Sequence, residues 1–198
     1  MAGVFDVLGR DHEEIKRMLA ELESGPSVTT GADEVQLRAR KKAVEQLVII
    51  QSVHETVEEE YFWPAVREKL AFPEGARLAG EAVSQERAGK FVLDRLGKLR
   101  ASDKEFERLL GRFIVTARAH IAFEETRVWP VLWQALSAAE SSRLASKLAR
   151  ARERAPTRPH PNAPPLPSML KAIGPAAAAV DRLRDALTGR GRGLAGGA

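Results

Sequence analysis

The chain has 198 residues, 44% of them hydrophobic, which is enough for one packed domain and an appendage. It contains no cysteine, and this excludes disulfides, thiolate nucleophiles and sulfur-ligated metals. The net charge of +4 is local: residues 154–198 carry seven Lys/Arg against two Asp, while the rest holds 24 basic and 25 acidic residues. A short tail of mixed charge is not a nucleic-acid footprint, so no nucleic-acid partner is predicted. No run approaches the ~18 apolar residues of a membrane span. The N-terminus carries Asp6, Asp11, Glu13 and Glu14 in place of a cleavable apolar leader, so a cytoplasmic location is expected.

In chain order, residues 4–8 form a short apolar lead-in, and Asp11-His12 opens a helix with the seam His12, Ile15, Leu19, Leu22. Ser24-Gly25-Pro26 ends it. A second helix runs from about Asp33 toward Trp63-Pro64, where the proline should kink or restart it. Phe72-Pro73 turns the chain into a third helix ending near Arg100, with Ala79, Val83, Glu86, Leu93 and Leu96 on its inner face. Glu86 is the one acid in that stripe, and Lys90, a turn later, could be its ion-pair partner. Ser102-Asp103 caps a fourth helix reaching Trp129-Pro130, and Ser137-Ala-Ala-Glu140 has the form of a capping box opening a shorter helix to about Glu153. The expected fold is all-α: an up-down-up-down four-helix bundle over 1–153, with a Pro-rich basic tail over 154–198 containing one amphipathic helix, 176–188. That helix either docks back on the bundle or meets a protein partner or an anionic surface.

One stretch occurs twice. His54-xxx-Glu58 followed by Trp63-Pro64 is echoed by His120-xxx-Glu124 followed by Trp129-Pro130. On a helix, residues four apart share a face, so each pair offers an imidazole and a carboxylate in one direction. Both pairs continue apolar seams: Val44, Leu47, Gln51, His54, Glu58 in one copy, and Phe106, Leu110, Phe113, Ala117, His120, Glu124 in the other. Buried without compensation, such groups would cost several kcal/mol each, on the order of an unpaired buried charge. A metal ion is the usual compensation. His12, also on a seam, is a third candidate imidazole, whereas His160, flanked by prolines, is not expected to be a ligand. Tyr61 reads as a core residue, a hydrogen-bond donor beside the site or a further ligand, and Glu59, Glu60 and Glu125 as solvated or neighbouring acids.

Asp11-His12 on the first helix, followed by two His-xxx-Glu-Glu segments each closed by Trp-Pro, resembles the hemerythrin-like (HHE cation-binding) family over residues 4–135. The resemblance implies a non-haem di-iron centre. His12 and His54 would hold one iron, His120 the other, and Glu58 and Glu124 would bridge. Glu86 falls where family members carry histidine, which makes a centre for reversible O2 binding less well matched. A ligand set of imidazole and carboxylate also suits manganese or zinc. The expected small ligands are O2, peroxide or nitric oxide. Gas or redox handling, turnover of peroxide or nitric oxide by an enzyme, and iron storage without turnover all remain open on these residues.

Overall fold

The computed structural model describes residues 3–162 and 167–188, and among these every regular element is helical. Helix α1 spans Val4–Ser24, beginning about two turns earlier than the Asp11 start expected. The Asp6 carboxylate accepts the Gly3 N–H at 2.7 Å, and Ser141 Oγ accepts the Val4 N–H at 3.0 Å, so donors at the helix start are satisfied. His12 therefore lies in the middle of a helix and is fully buried.

Helix α2 spans Glu34–Val57, opened by a reciprocal box in which Asp33 and Gln36 accept each other's backbone N–H at 2.9 Å. It continues without a break through a π-turn, Glu58–Phe62, into α3, Trp63–Lys69. Helix α4 spans Glu74–Lys98. Helix α5, Lys104–Phe123, repeats the pattern of α2: a π-turn at Glu124–Val128 leads into α6, Trp129–Ala135. Asp103 holds the cap position of α5, but its carboxylate accepts the Arg100 N–H at 2.8 Å instead of a first-turn donor. Helix α7, Ala138–Arg152, opens on the expected Ser137–Glu140 box. Helix α8 spans Pro167–Thr188, longer than the 176–188 segment expected.

The four long rods form the bundle, and their apolar faces make two separate clusters. One gathers Ile15, Leu19, Leu47, Leu93, Phe106 and Phe113. The other gathers Leu8, Phe62, Trp63, Leu78, Leu132 and Leu148, so α7 belongs to it. Between them, in every rod, lies a polar residue: His12 in α1, His54 and Glu58 in the second rod, Glu86 in α4, His120 and Glu124 in the fourth. All six are buried.

Helix α8 packs on the Glu58–Phe62 π-turn. Gly174 lies against Glu60 of that turn, while the polar face of α8 meets the chain just before the helix. Asp181 and Asp185 are buried against Thr157, Arg158 and His160, while Val180, Leu183 and Leu187 are exposed. None of the described helices is long and apolar enough to cross a membrane.

Candidate metal centre

Proline shapes both halves of the site. Pro64 and Pro130 have no N–H, so the carbonyl four residues earlier loses its partner and the ring crowds that turn. The helix widens instead of breaking: Trp63 N–H bonds Glu58 O, and Trp129 N–H bonds Glu124 O, each five residues back. Each π-turn thus begins on a glutamate of the repeat.

The side chains converge as two groups of four: His12, His54, Glu58 and Glu124, then Glu58, Glu86, His120 and Glu124, with candidate ligand atoms within 4.8 Å of one another in each. Glu58 and Glu124 belong to both. The two oxygens of Glu124 face opposite ways, Oε2 lying 3.2 Å from His12 Nε2 and Oε1 2.7 Å from His120 Nε2. His54 Nε2 is 3.3 Å from Glu58 Oε2, and His120 Nε2 is 4.0 Å from Glu86 Oε1.

The outward nitrogen of each imidazole is occupied. His12 Nδ1 meets Glu125 Oε1 at 3.0 Å, His54 Nδ1 meets Asp11 Oδ2 at 3.2 Å, and His120 Nδ1 meets Gln85 Oε1 at 2.9 Å. These oxygens only accept, so each Nδ1 carries the proton and each Nε2 turns a lone pair inward. Those lone pairs face carboxylate oxygens, and the Nε2 atoms of all three histidines lack a hydrogen-bond partner, as do both oxygens of Glu58 and Glu124 and Oε2 of Glu86. A buried nest of acceptors without donors is unfavourable unless a cation lies among them. The arrangement in which Nδ1 bonds an acceptor and Nε2 points inward is also that of a metal-ligating histidine. The donor set fits a metal.

The electrostatics divide between the groups: burial would lower His120, but Glu124 and Glu55 hold that imidazole above its usual value. Burial pushes the Glu58 carboxyl well above the usual carboxylate range, and the neighbouring Glu124 and Glu86 add to it. Burial and the nearby Glu59 do the same to Glu86. For Glu124 burial would raise the value, but His120 and His12 hold it below the usual range. Burial pushes His54 down, which favours the neutral, ligating form.

Around these groups the structure separates readings that the sequence left open. Lys90 does not pair with Glu86: its Nζ donates to Glu59 Oε2 at 2.6 Å, both side chains being buried. Glu86 is held instead by Trp63, whose indole Nε1–H donates to Glu86 Oε1 at 2.5 Å. The other tryptophan of the repeat, Trp129, stacks on the His12 ring at 4.7 Å and 19°. The Trp-Pro repeat was the signal for both roles. Tyr61 points away from the centre, and its hydroxyl accepts from Arg154 at 2.9 Å. Glu125 braces His12 and accepts from Lys16, while Glu60 is buried close to Gly174 of α8. His160 bonds Asp181 at 3.0 Å and belongs to neither group of four. Asp11 and Arg152 were missed as parts of the surroundings: Arg152 donates to both Asp11 oxygens, and Asp11 accepts from His54.

Comparison with known proteins agrees with this geometry. The family model described as the hemerythrin HHE cation binding domain matches residues 3–132. A hemerythrin-like protein of Schizosaccharomyces pombe is 27% identical over 185 residues, covering 93% of this chain and 86% of that protein. The crystal structure of a hemerythrin HHE cation binding domain-containing protein from Mycobacterium kansasii superposes with a TM-score of 0.63 at 21% identity, over 91% of this chain and 99% of that one. At that identity the match supports the fold, while the family-model match covers the bundle and all six candidate ligands. This chain therefore belongs to the hemerythrin HHE cation-binding family.

Proposed function

We propose that the chain is a non-haem di-iron protein that handles or senses O2, peroxide or nitric oxide at the layer between its two apolar clusters. The observation that carries the two-metal reading is the split of Glu124, one oxygen toward His12 and the other toward His120. His12 and His54 would hold one ion, Glu86 and His120 the other, with Glu58 and Glu124 shared. Iron bound there would supply reversible one-electron chemistry toward a small oxidant. The chain's own residues hold the imidazoles in the ligating tautomer through Glu125, Asp11 and Gln85 and fix Glu86 through Trp63, in a layer where all six candidate ligands are buried.

The test is metal content per chain on anaerobically purified protein, with optical spectra before and after adding O2 or peroxide. About two irons and a near-ultraviolet charge-transfer band appearing on oxidation are expected. Folded protein that takes up one metal or none would overturn the di-iron reading. Catalytic loss of added peroxide would move the reading to an enzyme.

A further inference from the structure

The two halves of the centre are unequally sealed. His12 and His54 are closed in by the stacked Trp129 ring and by the Asp11–Arg152 pair. On the opposite side a cavity of about 290 Å³ opens between α2, α4 and α5. Its rim is exposed at Ala88, Arg112, Thr116 and Ala119. Its floor is made by buried Gln51, Glu55, Glu86 and His120. Three further surface cavities, including the one beside Trp129, are lined by none of the six candidate ligands.

The walls between rim and floor are apolar, formed by Val92, Phe113, Ala117 and Gly89. Gly89 lies in the interior of α4, where glycine weakens a helix relative to alanine. A Cβ there would sit 3.6 Å from the Phe113 ring and 3.8 Å from Glu55 Oε1, which is ordinary contact. Alanine therefore fits, whereas a longer side chain would extend into the cavity. The volume is at the lower end of the roughly 300–1,000 Å³ of small-molecule pockets, which is more room than a diatomic needs.

We propose that exogenous ligands reach the centre through this cavity and meet its Glu86–His120 half, with Gly89 keeping the passage open. The polar floor and apolar walls suit a small oxygen- or nitrogen-donor ligand that carries a short apolar substituent. The inference rests on the two-metal reading above and adds which half is reached and from where.

The experiment uses the full chain loaded with cobalt(II), whose visible spectrum reports changes in coordination, with azide and butyrate as probes. The wild type is expected to respond to both. Gly89→Leu should retain its cobalt, lose the butyrate response and bind azide roughly tenfold more weakly or worse. Gly89→Ala should keep both responses. Thr116→Trp, at the exposed rim, narrows the same entrance without touching the core and should reproduce the loss if Gly89→Leu does not fold. Glu86→Ala should retain part of the cobalt and no azide response. Wild-type binding of both probes by loaded Gly89→Leu and Thr116→Trp would overturn the route, and an azide response surviving in Glu86→Ala would overturn the assignment to that half. Loaded wild type that binds neither probe would also overturn the inference while leaving the metal reading intact. Failure of the wild type to load would remove both.

Discussion

Arg152, the last residue of α7, donates to both carboxylate oxygens of Asp11 at 2.6 and 2.5 Å, and Asp11 Oδ2 in turn lies 3.2 Å from His54 Nδ1. Burial would raise the Asp11 carboxyl, but His54 and Arg152 hold it below its usual value, so it stays ionised. A helix outside the four-helix bundle thereby fixes the tautomer and orientation of a candidate ligand. Arg152→Ala is expected to weaken metal binding by roughly 10–100-fold, the usual effect of removing a group that supports a ligating histidine. Helical circular dichroism should be unchanged. Asp11→Ala acts on the same path, so the double variant should be little worse than the poorer single one. Competition with a chelator measures this, and wild-type affinity in Arg152→Ala would refute the coupling.

The shared glutamates and the separate histidines predict different losses. Glu124→Ala removes a group shared by both sets of four and should abolish stoichiometric metal binding, while His54→Ala and Glu86→Ala should each lower occupancy by about one ion, since each belongs to one group only. His160→Ala should leave metal content unchanged, because His160 serves the Asp181 contact. Elemental analysis of the folded variants decides. Full metal in both His54→Ala and Glu124→Ala would sink the assignment.

The bundle was legible because burial imposes a helical period on Val44, Leu47, His54 and on Phe113, Ala117, His120, and the ligand candidates stood out as polar residues on those seams. The π-turns were not legible. Glu58, Glu59 and Glu60 are all buried, a run that an ideal helix, turning about 100° per residue, cannot put on one face. The widened turn and the packing of α7 and α8 around it bring these acids inside, where Glu59 takes Lys90 of α4. Arg152 and Asp11 are 141 residues apart, a pairing set by how α7 docks and by no local pattern. The face by which α8 docks was hidden for a related reason: hydrophobic periodicity points to Val180, Leu183 and Leu187, but the partners that α8 meets, Thr157, Arg158 and His160, are polar.

Glu55 provides a pH test. Burial pushes its carboxyl up to about 7 from 4.5, and Lys90 and the Gln51 hydrogen bond only partly oppose this. The folded state therefore holds the proton more tightly than the unfolded one. Its contribution to stability is full below pH 4.5 and is lost as pH rises through about 7. In metal-free protein, Glu55→Gln should remove part of that decline, so that its stability relative to wild type improves between pH 5 and 8 by on the order of 1–3 kcal/mol. Denaturant midpoints across that range are the measurement, and parallel curves for the two proteins would count against a buried, protonated Glu55.

The Lys90–Glu59 pair predicts an asymmetry between breaking and replacing. Its 2.6 Å contact is almost wholly buried; burial would lower the Lys90 ammonium, but Glu59, Glu55 and Glu86 together hold it above its usual value. Lys90→Ala leaves Glu59 buried without its cation, beside Glu55 and Glu86, and should cost roughly 3–5 kcal/mol. Replacing both partners with apolar residues of similar size, Lys90→Met with Glu59→Leu, removes the uncompensated charge and should restore most of that loss. Loss of Lys90 also deprives Glu86 of a nearby cation, and Glu86 then resists ionisation further. Lys90→Ala should therefore weaken the Glu86–His120 half of the centre, whereas the double replacement, lacking both the cation and the Glu59 carboxylate, should restore affinity as well as stability. Denaturation and chelator titration of the three proteins measure the two effects side by side. A double variant as unstable as Lys90→Ala would mean that the pair specifies the local packing and does more than neutralise charge.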